Sequence, residues 1–265
     1  MLTSVFLKTI RDMRGQILGW GVGMSILAGS TVLAYTYFLA TSNIQDFIEM
    51  LPDVFQRLIG NQTAPNALEG FLRLKLFDSW LPIFLCVFAI LRGAAAIVGE
   101  EERRTMDLLM ANPVRRGRVL LEKFAASAVA LILMCGLTSV GLALAVGTTG
   151  ADASIGRLVW ATFNAIPIAL VFGALALVGS SVARRTRHAA TASVALLIGS
   201  YFLYTLAPLS PSIEPWARLS LFYYYSKTEP FGGGIVMGYV ALFLGITGVL
   251  VAAAAAAFRR KDLAS

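Results

Sequence analysis

The 265-residue chain is 57% apolar and 14% charged, against roughly 45–50% and about 25% for a soluble domain, which excludes an ordinary soluble fold. Its net charge of +7 is no nucleic-acid signature, because the basic residues sit at the edges of apolar runs, where they set orientation and meet lipid headgroups. Cys86 and Cys135 both lie inside apolar runs, so neither a disulfide framework nor redox chemistry is expected.

In chain order, residues 2–14 place Leu2, Val5, Phe6, Thr9 and Met13 on one helical face, with Lys8, Arg11 and Arg14 largely away from it. This predicts an amphipathic helix over 1–15, either lying on the cytoplasmic membrane surface or packed against the bundle. Six runs reach the roughly 20 apolar residues that a bilayer crossing needs: 17–41, 79–98, 124–148, 158–183, 189–209 and 232–258. The first is too long for a signal-peptide core of about 7–15 residues and reads as a retained helix. The connection 42–78 is predicted to be external. Within it Ile44, Phe47, Ile48, Leu51, Phe55, Leu58 and Ile59 recur at helical spacing, with Pro52 as a kink. They form an interfacial helix or one packed on the bundle. The predicted fold is therefore an all-α membrane protein of six transmembrane helices, 1–265 being a single transmembrane domain.

Orientation follows from Lys and Arg. One set of ends carries 16 of them and the other carries 6. The bias places the N-terminus, the 99–123 loop, the 184–188 turn and the C-terminal tail in the cytoplasm. Arg92 is the one charged side chain within the six runs. It lies roughly 10 Å before Gly99 along a helix. It either snorkels to the cytoplasmic surface or pairs with a glutamate of the 100–102 cluster.

Several chemistries are disfavoured by what the runs lack. Ion-coupled carriers hold carboxylates inside the membrane, and none of the six predicted segments contains one. His188, the only histidine, reads as a solvated turn residue, and no metal-ligand spacing is evident. None of the five lysines follows a glycine, so the phosphate-binding pattern G-x-x-x-x-G-K-[ST] is absent. The chain is expected to be neither an enzyme nor its own nucleotide-driven motor.

The loop 99–123 is the most charged connection. Glu100, Glu101 and Glu102 stand near a helix start, where negative charge is favoured, and Arg103, Arg104 and Thr105 follow. Met106, Leu109 and Met110 make an apolar face, and Asn112-Pro113 ends the helix. This is either a docking knob for a soluble partner or a solvated loop that obeys the positive-inside rule.

The stretch Gly99-Glu100-Glu101-Glu102, Thr105-Met106-Asp107-Leu108-Leu109, Asn112-Pro113-Val114-Arg115-Arg116 and Lys123, directly after the second helix, resembles the corresponding loop of ABC-2-type ABC transporter permeases. The terminal Phe258-Arg259-Arg260-Lys261-Asp262-Leu263 is similar to the end of many members, and the helix layout matches over nearly the whole chain. Two departures are Arg104, where many members have glycine, and Glu122-Lys123, where many have Gly-Lys. The resemblance implies a bacterial inner-membrane permease dimer, a homo- or heterodimer, served by two cytoplasmic ABC ATPase subunits. It implies that ATP and Mg sit on the partner, with no cofactor in this chain, and that transport is usually outward. It also implies that Glu100–Pro113 contains a coupling helix between helices two and three that docks on the ATPase.

Candidate path residues are Ser193, Ser200 and Tyr204 near one face of the fifth helix, with Tyr201 and Thr205 beside them, since in the family fold helices two and five face the dimer axis. Alternatively the hydroxyls of Ser193 and Ser200 bond carbonyls of their own helix. Phe222, Tyr223, Tyr224 and Tyr225 form either an interfacial aromatic belt or, by the same resemblance, a re-entrant outer gate. The competing functions are a membrane scaffold or sensor that binds another soluble partner, and a channel or ion-coupled carrier.

Overall fold

The computed structural model describes residues 5–41, 67–102, 116–183, 185–209, 211–228, 231 and 236–260. Their elements are helices joined by turns. Six are long and apolar enough to cross a membrane: Val5–Tyr37, Leu68–Ala95, Gly117–Thr149, Ile155–Val182, Thr186–Leu209 and Met237–Arg260. They are called the first to sixth spans below. The fourth packs against the second, fifth and sixth, while the first lies along the third. The interfacial helix predicted over 44–59 falls outside the described residues.

No break separates a surface helix from the first span. Val5–Thr41 is one helix of 37 residues, about 55 Å long against a hydrocarbon layer of about 30 Å. Its N-terminal turns have protein to pack on. Phe6 lies against the core, Thr9 and Met13 are buried, and the Phe6 N–H donates to Glu122 Oε2 of the third span at 3.1 Å. The face that the periodicity assigned to membrane surface or bundle meets the bundle.

The spans approach closely through small residues, as lipid-embedded helices do where hydrophobic exclusion of water is unavailable. Ser25 Oγ donates to Leu137 O at 2.8 Å, and a Cβ on Gly141 would stand 2.7 Å from Ser25 Cβ. Between the second and fourth spans, a Cβ on Gly93 would overlap the carbonyl oxygen of Gly173, whose own Cα faces Ala89. Gly150, between the third and fourth spans, has φ +63°, a turn conformation that suits glycine.

Two spans differ from their predicted outlines. The fourth is two helices, Ile155–Asn164 and Ile166–Val182. Pro167 in the first turn of the latter has no N–H for the Phe163 carbonyl, and the helix breaks at Ala165.

The second span starts well before residue 79. Ala67–Leu72 runs through a π-helical turn, Arg73–Trp80, into Leu81–Ala95. Residues 67–78, predicted to be external connection, are therefore helical and bring Glu69 and Asp78 onto a membrane-spanning helix. The expectation that the spans carry no carboxylate is corrected accordingly. Charge in Arg73–Asp78 ends the apolar run, but the helix continues through it, and the carboxylate one turn earlier has partners. Glu69, with no exposed side-chain surface, lies 2.9 Å from Arg157 Nη2. It also accepts from Arg157 Nε at 3.0 Å and from the Ser154 N–H at 2.9 Å.

This pair is asymmetric, since the Arg157 side chain is 40% exposed and Glu69 fully buried. Arg157→Gln strands a buried carboxylate and is expected to destabilise clearly. Glu69→Gln leaves a cation that water reaches, and is expected to cost less. Thermal unfolding in detergent checks the order, and a larger loss for Glu69→Gln would contradict it.

The π-turn leaves one carbonyl to be met from elsewhere. The Leu81 N–H bonds Leu76 O, five residues back. In that register Phe77 O would next take the N–H of residue 82, which is proline and has none. The Tyr225 hydroxyl supplies the missing donor at 2.9 Å.

Candidate functional site

At the predicted cytoplasmic end, the second span stops at Ala95 and a short helix, Val98–Glu102, begins. The N–H groups of Ile97 and Val98 donate to Ser180 Oγ of the fourth span at 3.1 and 3.2 Å. This satisfies donors that a helix start leaves orphaned. Lys123, largely buried at the start of the third span, donates to Ala96 O at 2.7 Å and to Glu100 Oε1 at 2.8 Å.

Glu102 reaches the fifth span. Its carboxylate accepts from the Thr186 N–H at 3.0 Å and from the Thr186 hydroxyl at 2.7 Å. It thus caps that helix from a distant part of the chain. The Thr186 hydroxyl, then its N–H, holds the Glu102 carboxyl below the usual carboxylate range. Glu101 is half-buried between these two anchors. Three spans therefore converge on five residues of helix. Arg103, Arg104, Thr105, Met106, Leu109, Met110 and Pro113 lie outside the described residues.

Arg92 extends toward the first span, where its Nη1 donates to Gln16 Oε1 at 3.3 Å, while Glu100 is engaged by Lys123. Sequence reasoning picked out the glutamates but not Ser180 or Thr186. Nothing local marks a serine inside a span, or a threonine at its start, as the partner of a remote helix.

A second set of predicted residues meets at the other end. Ser200 of the fifth span accepts the Leu221 N–H at 2.8 Å, and its Oγ lies 3.1 Å from Ser220 Oγ. Ser220 donates to Ser200 O at 2.6 Å and accepts the Phe222 N–H at 3.1 Å, capping the helix Leu221–Ser226. The Ser200 hydroxyl thus joins two elements. Ser193 is buried, and its hydroxyl has no hydrogen-bond partner among the described residues, so neither serine shows the back-bond to its own helix.

The aromatic cluster divides by face. Phe222 and Tyr225 are buried. Phe222 meets Tyr201 edge-on at 5.3 Å and Phe172 at 6.5 Å, while Tyr225 reaches Phe77 O. Tyr223 and Tyr224 are half-buried and cross at 5.4 Å, with Lys227 Nζ over the Tyr223 ring at 5.6 Å, a cation–π distance. The Tyr204 hydroxyl interacts with that of Ser226. Thr228 then donates to Tyr225 O at 2.7 Å and accepts from Asn164 at the break in the fourth span. Among the described residues no group of three or more His, Cys, Asp or Glu is placed to hold a metal.

The two ends together make a helical bundle with a fastened corner at the predicted cytoplasmic end and a short helix folded back between its fifth and sixth spans. The chain is 26% identical over 204 residues, 69% of its length and 71% of the relative's, to the probable ABC transporter permease protein NosY of Stutzerimonas stutzeri. It is 30% identical over 175 residues, 61% of its length and 62% of the relative's, to the protein of the same description in Pseudomonas aeruginosa. The family model for ABC-2 family transporter proteins matches residues 4–263. The chain belongs to the ABC-2 family of transporter proteins and is a multi-pass membrane subunit of an ABC transporter.

Proposed function

We propose that this chain is the permease half of an ATP-driven exporter in the bacterial inner membrane, with both termini cytoplasmic. Two permeases pair, and two cytoplasmic ATPase subunits bind ATP and Mg beneath them. The coupling element Glu100–Pro113 docks on the ATPase and carries its closure into the membrane.

The observation that carries this reading is the fastening of the loop's first turn. Glu100 is tied to the third span through Lys123, and Glu102 to the fifth through Thr186. A push on the loop therefore reaches two spans through charge-assisted hydrogen bonds, which are roughly twice as strong as neutral ones. The fifth span in turn holds Leu221–Ser226 through Ser200. Displacement at the cytoplasmic corner has a physical route to Phe222, Tyr223, Tyr224 and Tyr225, which serve as the outer gate.

The test is copurification. The tagged chain, extracted from its native membrane, should bring down an ABC ATPase, and ATP turnover should vanish when that subunit is stripped away. Turnover by the stripped chain, or its recovery at full yield without an ATPase, would overturn the reading.

A further inference from the structure

A second charged pair sits deeper in the second span. Asp78 lies fourteen residues before Arg92, roughly 20 Å along the helix, and so in the outer part of a hydrocarbon layer about 30 Å thick. It shares the π-turn with Arg73, and their side chains keep 17% and 11% of their surface. The separation from Arg73 Nε to Asp78 Oδ2 is 3.6 Å, beyond hydrogen-bond length. Arg73 Nε is buried with no hydrogen bond among the described residues.

The contrast with Glu69 is informative. A buried ion pair recovers its desolvation cost only when geometry is excellent and remaining lone pairs are satisfied. Glu69 meets that condition, with contacts at 2.9 to 3.1 Å. Asp78 does not, because its contact with Arg73 stays at 3.6 Å. Ionisable residues within the membrane are costly and mark substrate and ion paths, and π-turns recur at functional sites.

The setting narrows the chemistry. The Tyr225 hydroxyl donates to Phe77 O, one residue before Asp78, at 2.9 Å, so the helix Leu221–Ser226 packs beside this stretch of the second span. The sealed atom is the donor, Arg73 Nε. The partly open group is the acceptor, which calls for a partner with N–H donors and positive charge, set among aromatic rings that favour a cation.

We propose that Asp78 binds the protonated amine of an otherwise apolar molecule in the outer half of the membrane. Arg73 balances the carboxylate between binding events. The inference rests on the permease reading and names a substrate class for it.

The test uses the full-length chain in lipid nanodiscs, titrated with dansylcadaverine, an apolar fluorophore bearing a protonated primary amine, and with its neutral N-acetyl derivative. The wild type should bind the amine saturably and about tenfold more tightly than the acetylated probe, the effect of one charge-assisted hydrogen bond. Asp78→Asn should bring the two probes within about twofold, Asp78→Glu should keep a preference, and Arg73→Gln should widen it. Absence of saturable binding to the wild type, an undiminished preference in Asp78→Asn, or a narrowed one in Arg73→Gln overturns the proposal. If Asp78→Glu loses the preference as fully as Asp78→Asn, the carboxylate is not the selecting group and the proposal fails as well. The measurement needs no ATPase, so its failure leaves the copurification result standing, and the reverse also holds.

Discussion

Gly93→Leu is expected to abolish recovery of a monodisperse protein. A Cβ at this position already overlaps the Gly173 carbonyl, and Ala176 Cβ would lie 3.1 Å away. Neither neighbour is the end of a flexible side chain, so the second and fourth spans must separate. Overpacking in a deformable core costs about 1–3 kcal/mol, and a clash with backbone between the second and fourth spans exceeds that range. Gly93→Ala should show a milder form of the same loss. Gly245 of the sixth span has nothing within 4 Å of its Cβ position, so Gly245→Ala should stay within about 0.5 kcal/mol of the wild type. Size-exclusion profiles and thermal unfolding of the three variants decide the matter. A well-behaved Gly93→Leu would mean that the second and fourth spans do not meet at these glycines.

Replacing Met106, Leu109 and Met110 together with alanine should leave insertion and folding intact and uncouple ATP hydrolysis from transport. The three residues share one face of the proposed coupling helix and lie outside every span. Anchors of this kind carry most of an interface's energy, with truncation costing about 2 kcal/mol or more at a hot spot. Three such truncations should weaken the permease–ATPase complex by more than a hundredfold. Replacing Arg259 and Arg260, which end the sixth span, should do much less, because their main work is orientation. Copurification yield and substrate-stimulated ATP turnover give the readout. A triple-alanine variant that assembled and transported like the wild type would remove the docking role.

The six spans were legible because lipid imposes one simple demand, about 20 apolar residues in a row. The same rule misplaced the start of the second span. Arg73, Lys75 and Asp78 interrupt the hydropathy, and Arg157, which makes the buried Glu69 tolerable, is 88 residues away. The acidic cluster at 100–102 stood out as a charged helix start, but what Glu102 caps lies 84 residues further on. Ser200 was visible as a hydroxyl on one face of the fifth helix. Its link to Ser220 depends on the chain folding back after Leu209, and no periodicity within the span reports that. Local pattern shows which segments meet lipid, while partners across the bundle are set by tertiary packing.

Tyr225 and Pro82 illustrate how such partners bind two sites into one. The phenol stands where a backbone amide would stand had residue 82 been anything but proline. The two positions are therefore a single decision written in two places. A chain with alanine at 82 regains its own donor and loses its need for a hydroxyl at 225, whereas a chain that keeps the proline and loses the hydroxyl leaves a carbonyl bare in the protein interior. Across relatives, the imino acid at one position and the phenol at the other should be gained and lost together, as inherited linkage between two helices that share no sequence motif.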